Sequence, residues 1–308
     1  MRFATSLRPR ESNSATRPKA RSGRGSRRSK RSGRGAWQLS ERPIRLALAG
    51  AAGKMGAEVV AAVQHERDIE LVLVADRSHG GESLRKVLGT QFPDLKIDER
   101  LGAALDREKP DVLVDFTHPA AAPEHALSAL TRGIAVVIGT SGVSSDDLKE
   151  IAIAADRSGK AALVVPNFAI GAVLMMRFCE LAARWMPNCE IVEMHHDAKA
   201  DAPSGTAHLT AERIGRARST PPKPIRTEVF RVEGVRGGVH EGVPIHSVRL
   251  PGLVAHQQVI FGARGETLIL RHDSLDRSSF MEGVRLAIRR VGEMKGLVVG
   301  LDSLLFEG

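Results

Sequence analysis

The stretch IRLALAGAAGKMGAEVVAAVQHERDIELVLVAD, residues 44–76, decides the fold of this chain. A short apolar strand is predicted at Ile44–Ala49, and glycines follow at positions 50, 53 and 56. A helix is then predicted at 57–64 and a second buried strand at 71–75. A strand, a glycine turn, a helix and a strand at this spacing predict a βαβ unit of a parallel sheet.

The glycine turn has the features of a dinucleotide site. Glycines let a pyrophosphate approach the backbone amides at the helix start, where a Cβ atom would hold it away. Asp76 ends the second strand, where a carboxylate accepts both ribose hydroxyls of an adenosine, and Arg77 offers a partner for a 2′-phosphate. The GxxGxxG spacing alone also fits a plain strand-to-helix turn, but its context favours a cofactor. The predicted contacts are Gly50, Ala51, Ala52, Gly53, Lys54, Met55, Gly56, Asp76 and Arg77.

Strands and helices continue to alternate downstream. Strands are predicted at 111–116, 134–138 and 161–165, and helices at 121–131 and from the N-cap Ser144 to 158, with Asp147 in the capping-box position. The carboxyl ends of parallel strands share one edge of a sheet, where ligands bind. The turns after these strands therefore indicate an edge for the nicotinamide and its ribose, formed by Phe116, Thr117, Gly139, Thr140, Ser141, Pro166, Asn167 and Phe168.

The pattern changes after residue 168. Helices are predicted at 171–185, 206–218 and 279–291, and strands at 190–195, 229–235, 244–250, 256–261 and 266–271. Runs of strands after an α/β region favour a second, α+β domain with an open mixed sheet. We therefore expect an α/β protein with a Rossmann dinucleotide-binding domain at 43–167 and 278–308 and a substrate domain at 168–277.

The stretch EMHHDAKADAPSGTAHL, residues 193–209, interrupts the apolar pattern. Ser204 is a predicted N-cap, and the open amides of the helix after it suit a carboxylate. Lys199 adds a positive charge, and both His195 and Lys199 are candidate proton donors. A solvated loop is the plain alternative. A metal site is disfavoured, because His195 and His196 would point to opposite faces of a strand, and no metal is predicted.

The basic charge is concentrated at the start of the chain. The whole chain has 45 Lys and Arg against 36 Asp and Glu, but residues 1–43 hold thirteen of the basic residues and two of the acidic ones. The remaining 32 basic and 34 acidic residues give a net charge of −2. The Arg/Ser/Gly-rich tail, residues 1–42, is expected to be disordered. A misassigned start is preferred over a transit peptide or a nucleic-acid-binding arm, because no apolar face recurs along it.

The motifs together resemble one family. The segments GAAGKMG, DFTHPAA, IGTSG, PNFAIG and, above all, EMHHDAKADAPSGTA are similar to those of the 4-hydroxy-tetrahydrodipicolinate reductases. SVRLPGLVAHQQVIFGARGETLILRHDS resembles the family's late sheet segment, and the resemblance covers residues 44–308 in order. It implies reduction of (2S,4S)-4-hydroxy-2,3,4,5-tetrahydrodipicolinate to tetrahydrodipicolinate by NADH or NADPH, with loss of water, in the diaminopimelate route to lysine.

The resemblance also implies residue roles. His195 and Lys199 become the catalytic groups, and the glycine loop, Asp76 and the strand ends hold the cofactor. Many members carry a fully basic residue where this chain has His118, which leaves the choice between NADH and NADPH open. The family's substrate-binding residues correspond to His196, Ser204, Gly205 and Thr206.

The expected partners are a small dicarboxylate substrate and three further copies of the chain. The resemblance implies a homotetramer built through the sheet of the second domain, and no nucleic acid or membrane is expected. No apolar run reaches the roughly 18 residues of a membrane span. Two cysteines without a metal or disulfide spacing favour a reducing compartment. We expect a cytoplasmic enzyme, and the tail leaves a plastid open.

Other classes compete with this interpretation. An aspartate-semialdehyde dehydrogenase needs a nucleophilic cysteine, but Cys179 falls within an apolar helix and Cys189 has no basic neighbour in the sequence pattern. A homoserine dehydrogenase does not need the HH-x-x-K-x-D-x-P-S-G-T run. A nucleotide sensor whose tail binds nucleic acid would bind NADH without turning over the substrate.

Overall fold

Two β-sheets organise the chain in the computed structural model, which describes residues 42–223 and 229–306. The strands are β1 Ile44–Ala49, β2 Ile69–Ala75, β3 Ile97–Asp98, β4 Val112–Asp115, β5 Ala135–Ile138, β6 Ala161–Val164, β7 Asn188–His195, β8 Gly238–His240, β9 Val243–Arg249, β10 Ala255–Ala263, β11 Glu266–Ser274 and β12 Gly296–Val299. The helices are α1 Lys54–Val63, α2 Leu84–Leu88, α3 Leu101–Glu108, α4 Ala122–Leu130, α5 Ser145–Ser158, α6 Ile170–Ala183, α7 Gly205–Ala217, α8 Met281–Val291 and α9 Asp302–Phe306.

The first sheet has seven parallel strands in the order β12-β6-β5-β4-β1-β2-β3. Strands β4, β5 and β6 are buried along their whole length, as expected for a parallel sheet with helices on both faces. The strand order reverses at β1, which lies between β2 and β4. Ligands of such sheets bind in the crevice at the carboxyl ends beside this reversal. The predicted dinucleotide-type sheet is confirmed.

The second sheet has the order β11-β10-β7-β9-β8. Strands β7 and β9 pair in parallel and the other neighbours are antiparallel, so the predicted open mixed sheet is also confirmed. Helices α6 and α7 share an apolar core with this sheet, in which Ile191, Val259 and Phe261 are fully buried. The core fixes α7, whose first residues belong to the candidate site.

Some predicted elements differ from the structure. The strand predicted at 229–235 is wrong, since residues 231–235 form bends and turns. Val229, Val232 and Val235 are 83%, 67% and 58% exposed, so they have no sheet face to pack against, and Gly234 turns the chain with a φ of +73°. Helix α1 begins at Lys54, three residues earlier than predicted. A 3-10 turn, Arg277–Phe280, occupies the predicted first residues of α8.

Several short elements were not predicted from the sequence. They are α2, β3, α3, α9, the edge strand β8 and the strand β12, which returns to the parallel sheet and pairs with β6. The tail at residues 1–41 lies outside the described residues. Arg42, the last residue of the predicted tail, is described, and its guanidinium makes two hydrogen bonds of 2.9 and 2.8 Å with Asp111. In the ranges that the structure describes, no helix has the length and apolarity needed to cross a membrane.

Candidate active site

Two glycines of the loop pack closely against neighbouring backbone. Gly50 has a φ of +80°, and a Cβ atom there would lie 2.7 Å from the carbonyl oxygen of Phe116. A Cβ atom on Gly56 would lie 2.1 Å from the carbonyl oxygen of Gly50, so close helix packing requires glycine, as predicted. Gly53 is the N-cap of α1 and provides no side-chain cap. The start of a ten-residue helix is therefore open to an anion.

A cleft of about 660 Å³ extends from this loop along the carboxyl ends of β1, β2 and β4. Asp76 lies at its wall, and its carboxylate accepts hydrogen bonds from the amides of Ala52 at 3.2 Å and Ser78 at 2.9 Å. Arg77 and His118 line the same cleft. The predicted residues that line it are Gly50, Gly53, Asp76, Arg77, Phe116 and Thr117. The residues fit the adenosine and pyrophosphate of a dinucleotide.

Asp115, which was not predicted as a site residue, holds two of the strand-end turns together. Its fully buried carboxylate accepts hydrogen bonds from the Thr117 amide at 2.9 Å, the Thr117 hydroxyl at 2.7 Å and the Thr140 hydroxyl at 2.9 Å. His125 lies 2.7 Å from its other oxygen. Burial raises the pKa of Asp115, but the hydrogen bonds, first of all that of His125, outweigh burial and lower it. The ionised Asp115 carboxylate thus fixes the turns that follow β4 and β5 at this edge of the sheet.

A second cavity, of about 290 Å³, joins the two sheets. The strand-end residues on its wall include Asn167 and Phe168, and the wall opposite contains His195 and Thr206. The rings of Phe116 and Phe168 lie 5.4 Å apart, and a Cβ atom on Gly139 would lie 2.2 Å from the Phe116 ring. The predicted residues that line this cavity are Met55, Phe116, Gly139, Ser141, Pro166, Asn167, Phe168, His195, Ser204 and Thr206.

Asn167 links the two groups of residues directly. Its amide nitrogen donates to the Thr206 hydroxyl at 3.1 Å, and its carbonyl oxygen accepts from the Ala169 amide at 2.8 Å. Ser204 caps α7 and accepts from the Ala207 amide at 3.3 Å, as predicted. The capped helix start and the strand end therefore have a fixed geometry.

Glu193 organises the residues around His195 and is the most important residue that the sequence did not indicate. Its fully buried carboxylate lies 2.5 Å from His195 Nδ1 and accepts from Arg249 at 2.8 and 3.0 Å and from the Ser204 amide at 3.3 Å. Burial raises the pKa of Glu193, but the hydrogen bonds, first that of His195 and then that of Arg249, lower it from 4.5 to about 2. A permanent carboxylate thus orients the His195 ring. The only sequence signal was its place two residues before the histidine pair.

The remaining predicted residues lie beside these cavities. The Lys199 ammonium donates to the Asp201 carboxylate at 2.7 Å, and that carboxylate is largely exposed. Thr140 is held behind the edge by Asp115. The predicted residues that line neither cavity are Ala51, Ala52, Lys54, Gly56, Thr140, His196, Lys199 and Gly205.

Other groups reach the cavity from the second sheet. His256 Nε2 accepts from the Val254 amide at 3.2 Å, so Nδ1 carries the proton and donates to Asp273 at 2.7 Å. Burial lowers the pKa of His272, which also lines the cavity. Lone histidines on strands carry no sequence signal, because register alone decides which of them face a cavity.

The environment of Cys189 differs from the prediction. Arg218 donates to the Cys189 sulfur at 3.6 Å, so the expectation of no basic neighbour is wrong. Burial nevertheless raises the pKa of both Cys179 and Cys189. Both thiols are buried and stay protonated at neutral pH, which does not suit a nucleophile.

Known proteins match almost all of the described chain. The family model for the N-terminus of dihydrodipicolinate reductase matches residues 44–168, and the model for its C-terminus matches residues 171–305. The 4-hydroxy-tetrahydrodipicolinate reductases of Listeria welshimeri and Geobacillus thermodenitrificans are each 45% identical over 262 residues, which are 85% of this chain and 100% and 99% of those proteins. Dipicolinate-bound dihydrodipicolinate reductase from Paenisporosarcina sp. TG-14 is similar in structure, with a TM-score of 0.76 and 44% identity over 85% of this chain and 100% of that one.

The fold, the two cavities and these matches define a nicotinamide-dependent oxidoreductase. The chain belongs to the dihydrodipicolinate reductase family. Its activity is the NAD(P)H-dependent reduction of 4-hydroxy-tetrahydrodipicolinate in the diaminopimelate route to lysine, as the resemblance predicted. The alternatives of a semialdehyde dehydrogenase, a homoserine dehydrogenase and a nucleotide sensor are thereby set aside.

Proposed function

We propose that His195 and Lys199 supply the proton chemistry of this reduction and that the start of α7 holds the substrate carboxylates. The observation that best supports this division is the single cavity lined by Asn167 and Phe168 on one side and by His195 and Thr206 on the other. The predicted nicotinamide edge and His195, one of the two candidate proton donors, thus face the same space, and Lys199 lies in the loop that follows His195.

The substrate is a cyclic imine with two carboxylates, and its charge suits a helix start beside a lysine. Ser204, Gly205 and Thr206 offer the amides and hydroxyls of the first turn of α7, and His196 adds a side chain in the same loop. The substrate carboxylates compete with the exposed Asp201 for the Lys199 ammonium. Substrate binding therefore frees Lys199 from its partner within the loop.

The reaction removes the 4-hydroxyl as water and adds a hydride and a proton to the ring. The reduced nicotinamide supplies the hydride when bound. Electron density then enters the ring, and Lys199 donates the proton that neutralises it, while His195 relays or tunes that proton. Glu193 acts as a positioning residue, because its hydrogen bond to Nδ1 leaves the Nε2 of His195 to act in the cavity.

The glycine loop, Asp76 and the strand-end turns form the cofactor site in this proposal. Arg77 and His118 line the cleft beside Asp76 and are the two side chains available to a 2′-phosphate. Glu99 lines the same cleft and disfavours added negative charge. The opposing charges are consistent with use of either NADH or NADPH.

The proposal is tested by a coupled assay in which the preceding synthase makes fresh substrate and oxidation of NADH and NADPH is followed separately. The wild-type chain is expected to turn over with at least one cofactor, and His195→Gln and Lys199→Cys are each expected to lower kcat. Unchanged kcat values in both variants would remove the assignment of the two residues.

The same proposal includes two domains and a homotetramer. The cofactor domain comprises residues 43–167 and 278–308, and the substrate domain comprises 168–277. Strand β11 leaves the apolar side chains of Leu268 and Ile269 39% and 54% exposed, which supports assembly through this sheet. Sedimentation analysis is expected to give four copies for the wild-type chain and fewer for Ile269→Glu. A wild-type monomer would contradict the assembly.

A further inference from the structure

Three potential metal ligands converge at a place away from the two cavities. His208 and Glu212 lie one turn apart on α7, and His240 lies on β8. One ligand atom from each residue lies within 4.8 Å of those of the other two. His208 Nδ1 is 3.5 Å and His240 Nε2 is 3.8 Å from Glu212 Oε1. The two imidazole rings stack with their centroids 3.8 Å apart.

The His240 ring provides independent support for a ligand. Its Nε2 atom is buried and has no hydrogen-bond partner within the part of the chain that the structure describes. A buried polar atom without a partner is costly and rare, and a bound ion would satisfy it. Stacking against the His208 ring does not satisfy this atom, because it gives the ring nitrogen no hydrogen-bond partner.

The surroundings hold these groups in position. Arg216 donates to Glu212 Oε2 at 2.8 Å, and the other carboxylate oxygen, Oε1, faces the two histidines. Arg218, at the end of α7, donates to the carbonyl oxygens of Glu241 and Gly242 at 3.1 and 3.2 Å. The helix and the turn after β8 are therefore joined independently of the three residues.

We propose that His208, Glu212 and His240 bind a divalent transition-metal ion of the zinc class. Two imidazoles and one carboxylate suit zinc or cobalt and do not suit the all-oxygen preference of magnesium or calcium. A groove of about 670 Å³, lined by His208 and His240, leaves room for a further, non-protein ligand. The ion would join the edge strand β8 to α7, the helix whose first turn is proposed to bind the substrate carboxylates. It would stabilise the fold without taking part in hydride transfer.

The test uses the full, untagged chain, treated with a chelator and titrated with Co²⁺ as the probe. Wild type is expected to bind about one Co²⁺ per chain, with visible absorption typical of imidazole and carboxylate ligands, and Zn²⁺ is expected to displace it. His240→Ala and His208→Ala, on separate elements, are each expected to weaken Co²⁺ binding at least about tenfold. Co²⁺ is also expected to raise the Tm of wild type but not of either variant.

Two control variants separate this site from others. His79→Ala removes a matched surface histidine beside a glutamate, Glu82, and is expected to leave Co²⁺ binding unchanged. His195→Gln is likewise expected to retain the ion. Failure of wild type to take up Co²⁺, equal affinity in His240→Ala and wild type, or loss of the ion only in His195→Gln would each overturn the proposal. None of these results depends on turnover, so the proposed enzymatic roles are tested separately.

Discussion

The two sides of the active site are built in different ways. On the cofactor side, the geometry of the backbone is decisive, because Gly50 and Gly56 bring strand, helix and turn together where side chains would not fit. On the substrate side, a network of charged side chains connects Glu193, Arg249 and His195. The first side depends on close contacts of backbone with backbone, whereas the second depends on the charge of a buried carboxylate. Changes on the first side should therefore alter cofactor affinity, and changes on the second should alter the chemical step.

The largest expected effect is that of a substitution at the proposed proton donor, Lys199. Lys199→Cys is expected to lower kcat about 10²- to 10⁴-fold, because general acid catalysis contributes about this much. The dissociation constant of NADPH, measured by fluorescence titration, is expected to stay within about twofold of wild type. Lys149→Cys is a matched control, since Lys149 also pairs with an aspartate at 2.7 Å but lies on the solvent-exposed face of α5. If Lys199→Cys had the same kcat as Lys149→Cys, the proposed role of Lys199 in the chemical step would be contradicted.

Removing the charge of Glu193 is expected to reduce both stability and rate. Glu193→Gln leaves Arg249 without its buried partner and should lower the free energy of unfolding by about 3 kcal/mol at pH 7. Because the folded pKa of Glu193 is about 2, below 4.5, this stabilisation is present above pH 4.5 and is lost as the pH falls toward 2. Urea titrations from pH 7 to pH 3 should therefore show a narrowing difference in the free energy of unfolding between variant and wild type.

A structural role alone would leave the pH profile of kcat in place in Glu193→Gln, whereas a positioning role should shift it, because the His195 ring loses its charged partner. Glu70→Gln serves as the control, since Glu70 is exposed and lies 3.8 Å from Arg45. It is expected to change stability by less than about 0.5 kcal/mol. If the stability gap between Glu193→Gln and wild type were the same at pH 3 as at pH 7, the buried-charge account would be wrong.

A smaller effect is expected in the glycine loop. Gly53→Ala should weaken NADPH binding about tenfold, or about 1.4 kcal/mol, because a methyl group blocks the approach of the pyrophosphate. We expect the fold to accommodate it, since Gly53 has an ordinary φ of −75° and its Cβ would lie 3.3 Å from the Gly50 carbonyl oxygen, a tight contact that a shift of a few tenths of an ångström relieves. Gly292→Ala, where a Cβ has no neighbour within 4 Å, is the control. A Gly53→Ala variant that bound NADPH like wild type would show that the pyrophosphate lies elsewhere.

The smallest expected effect lies between the two sides. Asn167→Ala and Thr206→Val each remove the hydrogen bond that joins strand end and helix start. A double-mutant cycle on kcat/KM should give a coupling energy of about 1 kcal/mol, typical of one hydrogen bond. Strict additivity of the two substitutions would mean that the contact does not couple cofactor and substrate positions.

The sequence predicted local elements better than contacts between distant residues, for a physical reason. Local sequence encodes a strand, a glycine turn and a helix, so the parallel sheet, the capping box at Ser144 and the Ser204 cap follow from short windows. The Glu193–Arg249 pair joins residues 56 positions apart through the register of β7 and β9, which no local pattern specifies. The strand predicted at 229–235 failed for a related reason, since apolar residues form a strand only where a neighbouring strand is available.

The central claim is most directly tested by single-turnover measurements on wild type, His195→Gln, Lys199→Cys and Gly53→Ala at a series of NADPH concentrations. The account predicts that His195→Gln and Lys199→Cys reach plateau rates at least about 10²-fold below wild type with an unchanged half-saturating NADPH concentration. It predicts that Gly53→Ala reaches the wild-type plateau at an NADPH concentration about tenfold higher. If all three variants lowered the plateau and raised the half-saturating concentration together, the division between a backbone-built cofactor side and a charge-built substrate side would be contradicted.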